Sequence, residues 1–226
     1  MSHATTEFIF FKVKPAVQPE DPDSDEGRAL MEVFHSTKHQ SGHHNSAWGR
    51  AIEDQSVIVW VVDWTDARGS STMAHLKPFL AEIPQGPTAV FTTLSPSIVD
   101  SDTLTSNPVT ELCPLAFPGS LTIPERKQLD GNLINFRTAL MEQLPQAEAP
   151  KSWAMGHVDR PSTVPHEKSP SGDAIMHLLT VGWESVEAHM KAKQTEQFVQ
   201  SIAPIREKML SPVPGLEMKH VSFKKI

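Results

Sequence analysis

Histidines placed in apolar, strand-like sequence are the residues here with the most usable chemistry, because an imidazole exchanges protons near neutral pH. His177 lies in the run 174–183, and on a strand it shares a face with Leu179, Val181 and Trp183, since alternate side chains point the same way. By the same alternation Trp153, Met155, His157 and Asp159 share a face over 151–159, with His157 and Asp159 spaced to form an oriented acid–base pair. His177 and His157 are therefore candidate catalytic residues. The competing readings are a satisfied core imidazole and a solvated strand end. His35, His39 and His43 recur at i, i+4 and i+8, with His44 adjacent, a spacing that can gather metal ligands on one helical face. Gly42 ends that helix before His43, however, and no carboxylate is spaced to complete the set, so a polar helix end is the reading and no metal is expected. Cys113 is the one cysteine, which excludes an intrachain disulfide and a Cys-rich metal site; beside Pro114 in an apolar run it reads as a buried structural thiol. No GxGxxG turn, P-loop or GxSxG elbow occurs, so nicotinamide, nucleotide and Ser-hydrolase chemistry lack sequence support and a site with no cofactor is expected.

The elements that must position these residues are written twice. The β-branched run 57–64 ends in Trp64 and the run 174–183 ends in Trp183. Trp64 to Phe79 and Trp183 to Phe198 are both fifteen residues, and Phe79 to Ile83 and Phe198 to Ile202 are both four. Upstream, Ser46-Ala47-Trp48-Gly49 precedes the first run as Ser152-Trp153-Ala154-Met155-Gly156 precedes the second. Each half then reads as strand (8–13; 111–117), helix, strand (46–54; 151–159), strand, helix (69–83; 185–209) and strand (87–93; 216–223). The first helices run over about 25–38, with Leu30, Val33 and Phe34, and through Leu129, Leu133, Phe136, Leu140 and Leu144, which fall on one helical face. In 185–209 the apolar face is Val186, Met190, Phe198, Ile202, Ile205 and Met209, and Pro204 predicts a kink or break. Pro114 requires its strand to be at an edge or bulged. The order βαββαβ, repeated over 1–105 and 106–226, predicts an α+β fold of two ferredoxin-like units whose sheets pack into a pseudo-dimeric barrel with helices outside. A linker over 95–108 joins the halves, and the stretch 160–172 is an inserted loop, either a lid or plain surface.

With this order, a Trp closing each third strand and a pair such as Ala188-His189 opening the next helix, the sequence resembles the antibiotic-biosynthesis-monooxygenase branch of the dimeric α+β barrel superfamily, in the tandem form found in filamentous fungi. That family includes cofactor-free oxygenases of polycyclic phenols, haem-degrading enzymes, aldol-type polyketide cyclases and members with no known activity. Its quinone-forming monooxygenases carry an Asn four residues before the strand-end Trp and a Tyr six after it. Here the Asn positions hold Trp60 and Leu179, the Tyr positions hold Ser70 and His189, and the chain contains no Tyr. The resemblance thus puts His189 in the proton-handling position beside Trp183. In the first half Ile58 stands for His177 and Ile52 for His157, with only His75 and Asp63 remaining, so the working pocket is expected in the second half.

These readings lead to a small tailoring enzyme of secondary metabolism. It would hold a hydrophobic polyketide- or terpenoid-like molecule against Trp183, Trp153, Met155 and Asp159, while His189, His177 or His157 moves a proton during cyclisation, isomerisation or oxygenation. The alternative is a non-catalytic barrel that binds an apolar ligand or stabilises an assembly; haem binding is a weaker third. The net charge of −7, with no basic run beyond Lys224-Lys225, argues against nucleic-acid or membrane partners. A small hydrophobic molecule is the expected partner, and the fused pair could assemble further into a homo-oligomer. The start of the chain lacks a secretory pattern and no segment approaches the ~20 apolar residues of a membrane span, so the cytoplasm is the expected location.

Overall fold

The computed structural model describes residues 4–65, 73–82, 86–98 and 102–226. Ser70 and Ile83, both used in comparing the halves, lie outside the described residues, as do 69–72 of the expected helix over 69–83; of its described part only Met73–Leu76 is α-helical, followed by a 3-10 turn over Lys77–Phe79. The first half comprises β1 (Thr5–Lys12), α1 (Asp25–Thr37), β2 (His43–Arg50), β3 (Val57–Trp64), α2 (Met73–Leu76) and β4 (Thr88–Thr92). A short α3 (Thr103–Ser106) leads into the second half: β5 (Val109–Pro118), α4 (Ile123–Thr138), β6 (Ser152–Arg160), β7 (Val164–Pro165), β8 (Asp173–Trp183), α5 (Val186–Ala192), α6 (Glu196–Arg206), β9 (Lys219–Val221) and β10 (Lys224–Lys225).

Local chemistry sets the helix starts. Ser24 accepts a hydrogen bond from the Gly27 amide at 3.0 Å to cap α1, with Asp25 and Glu26 in its first turn to complement the helix dipole. Thr122 and Glu125 form a reciprocal capping box at α4. The predicted apolar face of α4 is buried at Leu129, Leu133 and Phe136 and continues through Leu140, which sits in a π-helical turn over Ala139–Gln143.

The strands of the first half lie in the order β2-β3-β1-β4, and those of the second in the equivalent order β6-β8-β5-β9. The pairs within each half are antiparallel, and two seams join the halves: β4 pairs with β6 through Thr92 and Val158, and β10 pairs with β2 through Lys224 and Trp48, with Val221 bridging Ala51. The sheet therefore closes on itself through these two short seams. Phe8, Phe10, Val59, Val61, Ala154, Met176, Leu178 and Val221 fill the barrel. The opposite strand faces form one apolar layer under α1 and another under α4, α5 and α6. This is the α+β barrel of two ferredoxin-like units that the sequence predicts.

A glycine stands at each seam because the crossing backbone leaves no room for a Cβ. At Gly49 a Cβ would lie 2.5 Å from the Ser222 carbonyl oxygen, and at Gly156 it would lie 2.2 Å from that of Thr93. The two are equivalent in register: Gly49 faces Val59, five residues before Trp64, and Gly156 faces Leu178, five before Trp183.

Several sequence expectations change. The helix 185–209 breaks at Lys193–Thr195 rather than at Pro204, because Thr195 caps a new helix by accepting from the Phe198 amide; Pro204 sits inside α6. Met190 and Met209 are exposed, and His189 and Ala192 take the buried face of α5. Pro114 lies beyond Leu112, where pairing with β9 ends. The carbonyl two residues on, at Ala116, turns away from β8 to accept from Leu210, so the missing N–H of Pro114 faces the same open side. The linker is not a bare tether, since Leu94, Ile98 and Leu104 enter the barrel core. The mostly exposed stretch 160–172 is tied to the barrel: β7 pairs with β8, His166 is buried, and its ring hydrogen-bonds the Ser211 carbonyl at 2.9 Å.

Candidate functional site

The candidate residues share the helix-facing side of the second half's sheet, but they form two clusters. His177 and Trp183 are six residues apart on β8, about 20 Å along the strand, so a single pocket holding His177, Trp183 and His189 does not exist. The polar groups separate accordingly.

At the Trp183 end, the register places Val109 opposite Trp183 and hence Glu111, two residues on, on the same face. The Trp183 indole N–H donates to Glu111 Oε2 at 3.0 Å. His189 is delivered by α5, which starts where Ser185 accepts from the Ala188 amide. It stacks on Trp183 with centroids 4.8 Å apart and planes 16° from parallel. Its Nε2 is 3.5 Å from Glu111 Oε2 and its Nδ1 is 2.8 Å from Nε2 of His220, the residue of β9 that faces Glu111. His220 Nδ1 in turn hydrogen-bonds Glu53 Oε1, and the His220 amide donates to Glu53 Oε2 at 3.0 Å. Glu53 belongs to the β2–β3 turn of the first half, so this line of side chains crosses the β2–β9 seam.

Burial, reinforced by His220 and Lys193, pushes the His189 pKa down to about 3, so its imidazole is neutral at pH 7. Burial raises Glu111 above the usual carboxylate range, against the opposing pull of the Trp183 N–H. For Glu53, burial acts upward, but hydrogen bonds from the His220 ring and backbone outweigh it and leave the carboxyl lowered. One set of tautomers suits these contacts: Glu111, whose neutral form burial favours, faces a bare His189 Nε2, His189 Nδ1–H donates to His220 Nε2, and His220 Nδ1–H donates to the Glu53 carboxylate. The His189–His220–Glu53 part of that line is hydrogen-bonded, whereas Glu111 Oε2 lies 3.5 Å from His189 Nε2 and must close that gap before a proton can pass to Glu53. Cys113 is half-buried beside Glu111, and burial together with that carboxyl holds its thiol well above its ordinary pKa, which keeps it un-ionised.

The first half repeats only the start of this arrangement. Trp64 Nε1 donates to Glu7 Oε2 at 2.9 Å, in the same register relation, but Phe91 occupies the place of His220.

At the other end of β8, His177 and His157 face each other across β8 and β6, with ring centroids 4.0 Å apart. Both turn Nε2 toward Asp130 Oδ1 on α4, at 3.3 Å from His177 and 3.5 Å from His157. The carboxylate partner of His157 is thus Asp130, delivered by a helix 27 positions upstream, and not Asp159, which accepts from Thr93 Oγ1 at 3.3 Å. His177 is 3 % exposed, and burial, then His157, pushes its pKa down to about 4. Register also corrects the first-half counterpart of His157, which is Arg50 opposite Ile58, not Ile52. Asp63 there accepts from Thr6, and His75 is on the exposed face of α2 as expected.

Trp153 and Trp183 are buried in the layer beneath α4 to α6, with Trp153 edge-on to Phe136; Met155 is half-buried at its margin. A cleft of ≈ 520 Å³ lies instead on the first half, lined by Val13, Lys14, Val17, Gln18 and Arg50 among others. The histidines of 35–44 do not share a helical face, because α1 ends at Thr37 and His43 begins β2, where it pairs with Ser46. Sequence reasoning missed Glu111, His220, Glu53 and Asp130. One signal was available: Thr6-Glu7 and Thr110-Glu111 place the same isolated acid in both opening strands.

No known family model matches the chain, and no curated protein matches it. Solved structures do. An anthrone oxidase-like protein aligns over 100% of this chain and 92% of its own, with TM-score 0.58 and 13% identity. A protein of Lactobacillus acidophilus NCFM carrying a monooxygenase name aligns over 98% and 94%, with TM-score 0.55 and 9% identity. A variant of chlorite dismutase from Candidatus Nitrospira defluvii aligns over 98% and 92%, with TM-score 0.54 and 13% identity. At such identities the likeness is one of fold alone, that of an α+β barrel.

Proposed function

We propose that the chain is a small acid–base enzyme, monooxygenase-like in scaffold, that acts on a hydrophobic polyketide- or terpenoid-like molecule at the Trp183–Glu111–His189 site. The observation that carries this reading is the line Glu111–His189–His220–Glu53, which ties a buried carboxyl to a half-exposed one through two oriented imidazoles. A buried acid next to a flat indole can give or take a proton from an apolar carbon acid or phenol, and the imidazoles can restore its state from solvent. Glu111 is the less enclosed of the two: its side chain is 11% exposed, against 3% for His189.

The anthrone oxidase-like neighbour suggests the first substrates to offer, anthrones and related polycyclic phenols. Product formation and oxygen uptake should fall by about two orders of magnitude in both His189→Ala and Glu111→Gln, as for loss of a positioned acid or base. Turnover that survives in both variants would refute the assignment. A second reading, a barrel without catalysis, is favoured by how fully side chains fill this layer: Trp183 and His189 are 1% and 2% exposed. It predicts no turnover of that panel and no small molecule retained through purification by native mass spectrometry.

A further inference from the structure

We infer that Asp130, His157 and His177 form a binding site for one divalent first-row transition ion, of the Zn(II) or Co(II) type, with an open coordination position toward solvent. The ligand atoms, Asp130 Oδ1 and the two Nε2 atoms, all lie within 4.8 Å of one another. The two N···O separations are 3.3 and 3.5 Å. A tetrahedron with metal–ligand bonds of about 2.05 Å has edges of about 3.3 Å, which the two N···O separations already match. An octahedral set would need shorter edges, about 2.9 Å at the same bond length, which points to four-coordination.

The donors come from three different elements, α4, β6 and β8, and the two histidines are a direct cross-strand pair. His177 is fixed by burial and by an edge-on contact with Phe117. Without an ion, both imidazoles compete for a single carboxylate oxygen. A cation would use both Nε2 lone pairs and the oxygen together. Asp130 and His157 have side chains 44% and 56% exposed, so the fourth position opens to water or an oxygen-donor ligand, as in three-ligand catalytic sites rather than closed structural ones. Arg126 lies nearby and weakens cation binding, but its guanidinium is held by the Gly119 and Leu121 carbonyls and does not enter the triad. The first half holds Ile58 and Arg50 at the positions of His177 and His157, so one ion per chain is expected.

Titration of the full-length, chelator-treated protein with Co(II), followed by visible absorption, tests this. One equivalent should bind with the strong d–d absorption of four-coordinate Co(II) and be displaced by Zn(II). His157→Ala and Asp130→Asn alter half-exposed side chains and should leave the metal-free thermal midpoint near that of the wild type, yet weaken Co(II) binding by more than about tenfold, the cost of losing even an outer-shell partner. His35→Ala with His39→Ala should bind as the wild type does. Absence of a one-equivalent Co(II) complex, or unchanged affinity in both triad variants, would overturn the assignment.

Discussion

At the scale of single residues, the two strand-end tryptophans matter for a polar reason as much as an apolar one. Each directs its indole N–H at a glutamate inside a helix-covered layer, Trp64 at Glu7 and Trp183 at Glu111, with N···O distances of 2.9 and 3.0 Å. Replacing the indole by phenyl would leave a buried carboxyl without that donor, at a cost of about 1–3 kcal/mol, to which lost packing adds. Trp64→Phe and Trp183→Phe should therefore each lower the urea midpoint. Because they lie in separate layers, the double variant should show nearly the sum, within about 0.5 kcal/mol. Trp153 supplies the control: it is equally buried, but its Nε1 has no partner, so Trp153→Phe should show only the packing part. Equal effects at all three positions would show that the Trp–Glu bonds contribute nothing beyond packing.

At the scale of elements, the seams depend on glycine. Gly49→Ala and Gly156→Ala each drive a methyl into the carbonyl of a crossing strand, a backbone group with no freedom to swing aside. Each should destabilise the barrel by about 1–3 kcal/mol or more. The loss should be visible as faster amide exchange on both sides of the affected seam, β2 with β10 or β6 with β4. Exchange that accelerates in one half alone would show that the seam does not couple them. The same glycines illustrate what the sequence could convey. Periodicity over 57–64, 174–183 and 129–144 marked the buried faces, because burial on one side of an element imprints its period directly. The repeated Trp–Phe spacing marked the duplicated order of elements. What stayed hidden arises from contacts between elements: Asp130 meets His157 and His177 across a helix and two strands, and Glu53 meets His220 across a seam, with no local spacing to announce either. The break at Thr195 was hidden for a different reason, since an apolar helical pattern continues through the cap. The carboxylate given to His157 from its own strand, Asp159, fails because near neighbours on a strand edge are less constrained than partners brought in by a helix.

At the scale of the whole molecule, the Glu111–His189–His220–Glu53 line ties the two halves together, and its inner members should compensate each other's response to pH. His189 has its native pKa lowered to about 3 from 6.5. Its contribution to stability is fully present above about pH 6.5 and is lost as pH falls toward 3, because the unfolded chain takes up a proton that the native one refuses. Glu111 has its native pKa raised from 4.5, so its contribution is present below about pH 4.5 and is lost as pH rises toward the raised value. Between about pH 4.5 and 6.5 unfolding therefore takes up protons at His189 while Glu111 acts in the opposite direction, so the two slopes oppose each other. Removing one member exposes the other. Relative to wild type, Glu111→Gln should lose stability as pH falls through that window, by up to about 1.4 kcal/mol per pH unit, the limit for one proton. His189→Gln should show the opposite trend, losing stability as pH rises. Urea midpoints of the three proteins at intervals from pH 4.5 to 7.5 measure this directly, and the difference from wild type cancels the titration of groups remote from the pair. Parallel profiles for all three would mean that Glu111 and His189 titrate alike in the folded and unfolded chain, and the proton line would lose its electrostatic basis.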